Sequence, residues 1–284
     1  MKKKLIKALK IFLLVLIILL SGAYVFLSSP EVLKTDQIGW LTDNLIAHRG
    51  LHSETVPENT MAAFEAAIEA GYIIECDAQL TKDNQVVIHY DTNLSRMLGL
   101  DKKIGEVTYA ELQNYTILGT DQKVPLLSDV LDLVNDQVPI LVEIKNDLAV
   151  GALEGAMVEV LKDYDGRFAV TAFNPYSLEY FKKKAPDMIR GQVSGHFIQT
   201  PEEIARGDKP LVWYKKFMLS NLLMNFTSKP NFIIYEVNKT SFLRIMSIKM
   251  MNVPLVGYTI DNKEEYDQYR KDYNNLMVNF KVIE

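Results

Sequence analysis

Nine short apolar runs punctuate the chain after its first thirty residues: 44–47, 72–76, 85–90, 139–144, 168–173, 188–193, 231–237, 253–260 and 275–280. Between most of them lie amphipathic stretches of helical period, such as MAAFEAAIEAG (61–71), LSDVLDLV (127–134), 150–164, SLEYFKKKA (177–185), SFLRIMSIKMM (241–251) and KEEYDQYRKDY (263–273). Continuous apolar strands alternating with amphipathic helices predict a parallel sheet covered on both faces. Pro57-Glu58-Asn59-Thr60 marks a helix start and Gly71 its stop. With about 250 residues available, a closed (β/α)8 TIM barrel fits this α/β alternation better than an open doubly wound sheet. No Gly-x-Gly-x-x-Gly follows a strand, which weakens the dinucleotide-binding alternative. Nine runs compete for eight barrel places, so the stretch from Asp77 to Tyr90 is expected to be partly a hairpin over the barrel mouth. Residues 91–124 exceed a normal βα loop and predict a small insertion after the third strand. Residues 196–230, apolar and aromatic with lysines 209, 215, 216 and 229, read either as a membrane-surface segment or as an inward-packed barrel helix with snorkelling lysines.

The N-terminus breaks the alternation. Five lysines within the first ten residues precede a charge-free run from Ile11 to Pro30. Such a run spans a hydrocarbon core of roughly 30 Å as one transmembrane helix. The positive-inside rule then leaves the lysines in the cytoplasm and the remainder outside, as a single-pass protein of the cell membrane. A cleaved signal peptide is the rival reading, disfavoured by the missing Ala-x-Ala and the bulky Tyr24, Val25 and Phe26. The expected organisation is 1–30 as anchor, 31–44 as linker and 45–284 as barrel. Beyond Pro30 there are 26 basic and 36 acidic residues, a net charge of −10, which argues against nucleic acid as partner. The single cysteine, Cys76, excludes an internal disulfide framework.

Chemistry concentrates at the ends of the first four apolar runs. His48-Arg49-Gly50 closes the first, Glu75-x-Asp77 the second and Glu143-Ile144-Lys145 the fourth; His89 closes the third. In a parallel barrel these positions meet at the C-terminal rim. Glu75 and Asp77 share one face of a strand, and Glu143 would complete a set of three oxygen ligands suited to Mg²⁺ or Ca²⁺. His48 and His89 suit proton transfer, and Arg49 and Lys145 supply fixed positive charge for the oxygens of a phosphodiester. His52 reads as structural or exposed, and His196 as a loop residue.

Read in order, HRG (48–50), PENT-x3-F (57–64), ExD with LTKD (75–83), His89, NLSR (93–96), VPLLSDVL (124–131), EIK (143–145) and FNPYSLEYF (173–181) resemble the glycerophosphodiester phosphodiesterase family across 46–284. The resemblance implies a (β/α)8 barrel hydrolysing glycerophosphodiesters to glycerol 3-phosphate and an alcohol with a divalent cation. It implies metal binding by Glu75, Asp77 and Glu143, phosphate binding by Arg49 and Lys145, acid–base catalysis by His48 and His89, and a substrate-side role for Glu58. Lysophospholipids and envelope-derived glycerophosphodiesters are the substrates expected of an anchored member. Two departures stand out. The family histidine follows the threonine of TKD by nine residues, whereas His89 follows Thr81 by eight. Either a kink returns His89 to the site or Tyr90 occupies it. Tyr258 also stands where the family commonly carries tryptophan. The alternatives are a weakened relative that binds glycerophosphate groups, and a phospholipase C-like phosphodiesterase.

Overall fold

The computed structural model of the chain describes residues 2–146, 149–198, 210–238 and 240–282. Its strands are β1 (Ile46–Ala47), β2 (Ile73–Leu80), β3 (Val86–Ile88), β4 (Ile140–Ile144), β5 (Phe168–Ala172), β6 (Arg190–Ser194), β7 (Phe232–Glu236), β8 (Leu255–Ile260) and β9 (Asn275–Val278). Eight of them, all but β3, pair in parallel, and two residues close the ring: Ile46 sits opposite Ile73 on one side and Met277 on the other. β3 instead hangs antiparallel on β2, with Ala78 opposite Ile88 and Leu80 opposite Val86. The nine runs therefore resolve into eight barrel strands and one hairpin arm. A hairpin forms here because Thr81 and Asn84 close a tight turn, with Asn84 in the left-handed region at φ 60°.

The helices that cover the barrel are α2 (Met61–Glu69), α3 (Leu127–Val134), α4 (Ala152–Leu161), α5 (Pro175–Lys184), α6 (Trp213–Ser220), α7 (Phe242–Lys249) and α8 (Lys263–Tyr269), preceded by α1 (Lys2–Leu27). Local chemistry sets several of their starts. The Thr60 hydroxyl accepts from the Ala63 N–H at α2, and Asn174 caps α5 immediately before Pro175.

The barrel interior is layered along the strands. Ile46, Ile73, Leu141, Ala169, Phe232, Val256 and Met277 fill its lower part. Apart from Ala169, each such side chain contributes about 1.5–3 kcal/mol on burial. Because strand side chains alternate, the inward residues one or two steps further along β2 and β4 are Glu75, Asp77 and Glu143. Apolar packing thus holds up a carboxylate layer. Residues 31–44, expected as a linker, are folded under this interior: Thr35–Ile38 is a helical turn, and Ile38 and Leu41 are buried among the lower-layer side chains. Between β3 and α3 the insertion has its own small core, with Leu94, Met97, Ile104, Leu112 and Ile117 gathered on Val87.

α1 is 26 residues long, carries no buried residue through its apolar window and is long and apolar enough to cross a membrane, a test that a signal sequence also passes. Of the 196–230 segment, 199–209 lie outside the described residues. α6, which follows, buries none of its side chains, so it is not the inward-packed helix that one reading expected.

Candidate active site

The His48-Arg49-Gly50 turn is pinned to β2 by its own backbone. The Arg49 N–H donates to Glu75 Oε2 at 2.9 Å and the Gly50 N–H to the Glu75 carbonyl at 3.2 Å. Both residues adopt positive φ, 57° for Arg49 and 76° for Gly50. Glycine is required at the second because a Cβ there would stand 2.8–2.9 Å from Ala63 Cβ and backbone. Arg49 is consequently held in a conformation that an L-residue rarely adopts, aimed by the chain rather than by its own preference.

Glu75, Asp77 and Glu143 bring one oxygen each to within 4.8 Å of one another. Burial raises the pKa of Glu75 well above the usual carboxylate range, with Asp77 and Glu143 adding repulsion. Burial likewise raises that of Glu143, against the pull of Lys145. Two cations border the cluster. Arg49 Nε stands 3.4 Å from Asp77, and Lys145 Nζ stands 3.1 Å from Glu143 and 3.8 Å from Asp77. Positive charge nonetheless falls short, because Glu75 Oε1 is buried without a hydrogen-bond partner. An all-oxygen set with an orphaned carboxylate oxygen fits a hard divalent cation. Asn59 steadies the cluster: its amide donates to Asp77 Oδ2 at 2.8 Å and accepts from the Asp77 N–H at 3.2 Å.

Around this centre lie the proton-transfer candidates. His48 Nδ1 is 2.7 Å from Asn279 Oδ1, and Asn279 donates its amide to Asp261 at 2.6 Å. A carboxylate only accepts, so Asn279 must present its oxygen to His48, and the proton sits on His48 Nδ1 with Nε2 bare. Burial and neighbouring Arg49 bring the His48 pKa down to about 4, opposed by Asp77 and Asn279. His89 lies just past the end of β3, so strand alternation no longer dictates its direction. Its N–H donates to the Asp77 carbonyl at 2.8 Å, Nδ1 meets the Asp91 carbonyl at 2.8 Å, and its buried Nε2 has no partner. Burial lowers its pKa, countered by Asp91 and Glu58 and reinforced by Arg96. Tyr90 takes a different place: its ring lies 3.4 Å from the Arg49 guanidinium carbon and 4.2 Å from Lys145 Nζ, a double cation–π stack. His89 is thus tied to β2 by its backbone while its ring meets the Asp91 carbonyl, and Tyr90 lies on the two cations that flank the cluster.

Glu58 joins Arg49 at 3.0 Å and Arg96 at 2.5 Å; burial opposes its ionisation, but the two guanidiniums bring its pKa down to about 2. On the opposite rim Phe173 packs edge-on against Tyr258 at 6.2 Å, and against Phe197 at 5.9 Å. His196 stands apart, its N–H on Glu236 and its Nε2 3.2 Å from Thr240. His52 only brushes Asn279, at 3.4 Å. Sequence reasoning passed over Asn59 and Asn279 and named Tyr90 only as a replacement for the histidine; for Asn59 there was a signal, its place inside PENT.

Oxygen ligands for a dication, flanked by fixed cations at the C-terminal rim of a parallel barrel, are the equipment of a (β/α)8 enzyme acting on an anionic substrate. Which anion follows from kinship. Residues 48–278 match the glycerophosphoryl diester phosphodiesterase family, and the chain belongs to that family of phosphoric diester hydrolases. It is 33% identical over 158 residues to a glycerophosphodiester phosphodiesterase of Caldanaerobacter subterraneus subsp. tengcongensis, covering 52% of this chain and 65% of that protein. It is 33% identical over 136 residues to lysophospholipase D GDPD1 of Rattus norvegicus, covering 43% of each chain. These alignments span less than two thirds of either relative's length. Among solved structures, a phosphodiesterase of Oleispira antarctica in complex with the product sn-glycerol-3-phosphate superposes with a TM-score of 0.66 at 21% identity, over 84% of this chain and 93% of that one, a likeness of fold.

Proposed function

We propose that this chain hydrolyses glycerophosphodiesters to glycerol 3-phosphate and an alcohol, and that α1 anchors it in the cell membrane with the barrel on the outer side. The observation that carries the reading is the buried carboxylate cluster with its orphaned Glu75 oxygen, bordered by Arg49 and Lys145, in a chain of this family.

Glu75, Asp77 and Glu143 would hold a Mg²⁺ or Ca²⁺ ion, which when bound offsets charge on the phosphoryl oxygens and orients the diester. Arg49 and Lys145, both stacked on the Tyr90 ring, bind the non-bridging oxygens, and Glu58 holds the Arg49 fork in place. As the bond from phosphorus to the alcohol oxygen breaks, a bond to the incoming hydroxyl oxygen forms. That oxygen comes from water, or first from the substrate's neighbouring hydroxyl through a cyclic phosphate. His48, with its bare Nε2, takes the proton of the attacking hydroxyl. His89, its Nδ1 on the Asp91 carbonyl and its Nε2 without a partner in the fold, would deliver one to the departing alcohol. The lysophospholipase D relative and the apolar α1 together favour substrates drawn from the membrane, lysophospholipids among them.

The test is glycerol 3-phosphate release from glycerophosphocholine by the full chain in detergent micelles or vesicles, with Mg²⁺ or Ca²⁺ and with EDTA. Cation-dependent release that is lost in both His48→Ala and His89→Ala supports the reading. Binding of glycerol 3-phosphate without turnover identifies a non-catalytic relative, and a diacylglycerol product identifies phospholipase C chemistry.

A further inference from the structure

The chain enters the barrel at its N-terminal face. The Glu31 N–H donates to the Pro230 carbonyl at 2.9 Å and its carboxylate pairs with buried Arg190 at 2.6 Å, both at the starts of β7 and β6. One step back, the Ser28 carbonyl accepts from Asn225 at 3.1 Å, and Phe26 stacks on Phe226 with ring centroids 6.0 Å apart. A turn further back Tyr24 is half-buried, the last side chain towards the start of α1 that the fold covers. α1 therefore meets the barrel on the flank of its β6 and β7 units. The rest of the helix, Lys2 to Tyr24 at 1.5 Å per residue, is about 34 Å long and is exposed from Lys3 to Ala23.

The same flank carries apolar side chains that the fold does not use. The Tyr235 hydroxyl donates to the Ser220 carbonyl at 2.9 Å and the Ser194 hydroxyl to the Leu219 carbonyl at 2.9 Å, which sets the end of α6 at the rim ends of β6 and β7. On α6 Trp213 is 79% exposed, with Tyr214 and Phe217 also exposed, beside Lys215 and Lys216 and with no acidic residue between 210 and 230. α7 begins at the same rim and is tied to α6 by Arg244 donating to Asn221 at 2.7 Å. It exposes Leu243 at 77% and Phe242 at 68% on its first turn. Aromatics and leucines with adjacent lysines are the composition of an interfacial helix on an anionic lipid surface.

We infer that the rim of the barrel faces the bilayer that holds α1, and that the starts of α6 and α7 seat in its anionic headgroup layer, so that the active-site mouth opens onto the membrane. The inference rests on the anchored reading above, and its occupant is the lipid surface itself. Substrate is then drawn from the leaflet through the mouth instead of from bulk solution.

The chain has two tryptophans, Trp40 under the barrel and Trp213 on α6, and none in α1, so emission reports both ends of the barrel separately. The full chain is reconstituted in vesicles of phosphatidylcholine and phosphatidylglycerol with acyl chains brominated near the headgroup. Expected is at least a twofold quenching of Trp213, read in Trp40→Phe and again as wild type minus Trp213→Phe, with Trp40 left within a tenth of its unbrominated value. A vesicle-bound chain whose Trp213 is unquenched, or quenched no more than Trp40, overturns the inference, as does failure of the chain to float with vesicles. A self-associating chain with unquenched Trp213 assigns the patch to a second copy and overturns it too. In a second arm, Trp213→Ser with Leu243→Ser keeps its turnover of soluble glycerophosphocholine within twofold and loses at least fivefold on lysophosphatidylcholine embedded in the vesicle. Equal loss on both, or on neither, refutes the inference, while absence of turnover in the unmutated chain refutes the proposed activity and leaves the quenching result to stand alone.

Discussion

Replacing Asn279 with alanine isolates the one hydrogen bond that decides which nitrogen of His48 carries the proton. In the wild type the Asn279 oxygen lies 2.7 Å from His48 Nδ1, and Asp261, 2.6 Å from the Asn279 amide, prevents that amide from turning over. Asn279→Ala leaves the Nδ1–H buried without an acceptor and lets the tautomer with Nε2 protonated compete. An unsatisfied buried donor costs about 1–3 kcal/mol. If that cost falls on the arrangement needed for proton abstraction, it corresponds to a loss of about 5- to 150-fold in kcat at 1.36 kcal/mol per factor of ten. Substrate contacts are untouched, so KM for glycerophosphocholine stays within twofold. The assay is steady-state release of glycerol 3-phosphate at saturating cation, with circular dichroism to confirm the fold. Asp261→Ala, which frees the amide to turn over but keeps it present, loses less than Asn279→Ala. A variant at position 279 that retains more than half the wild-type kcat, or one that loses activity wholly through KM, refutes the positioning argument.

Other outcomes follow from the same geometry. Glu75 and Glu143 hold protons more tightly folded than unfolded, so without a cation, stability declines as pH rises from about 4.5 through their raised folded values. A dication binds only the ionised pair. At one hundred times its Kd, Mg²⁺ or Ca²⁺ should add about 2.7 kcal/mol, roughly 5–11 °C in melting temperature, near pH 8 and markedly less near pH 5; equal shifts at both would contradict the assignment. Tyr90→Phe keeps the ring over Arg49 and Lys145 and should leave kcat within threefold, whereas Tyr90→Ala raises KM at least fivefold; if Tyr90→Phe inactivates and His89→Ala does not, the proton-transfer role belongs to Tyr90. Gly50→Ala forces a Cβ against Ala63 at positive φ and should destabilise by about 2–4 kcal/mol, measured by urea denaturation, with activity falling because Arg49 moves with it.

The alternation of apolar runs made the barrel readable, because parallel strands covered on both faces pack as an open doubly wound sheet or a closed barrel, and eight units over about 250 residues fit the barrel. The hairpin was readable for a related reason: Thr81 to Asn84 is a turn too short for a crossover helix. What the pattern concealed was the plug. Residues 31–44 have too few apolar positions for any period, yet Ile38 and Leu41 alone are enough to fill the barrel floor. At the site, charged residues at strand ends announced themselves, since so many ionisable groups at one rim rarely coincide by chance. Asn279 did not, because asparagine is common in turns for reasons of backbone alone and only contact with His48 distinguishes it, while Asn59 was marked only by its place inside PENT. The His89–Tyr90 ambiguity came from applying strand alternation one residue beyond Ile88, where the strand has ended.

The two-residue strand β1 carries a consequence for biosynthesis. It pairs with both β2 and β9, so the turn bearing His48 acquires its second neighbour only when β9 docks. A nascent chain that has reached Lys145 already holds every carboxylate of the cluster and both of its cationic neighbours, but His48 still lacks Asn279. The ring must shut before that imidazole is oriented. The contact that orients His48 therefore exists only in the closed barrel, where the first strand and the last meet.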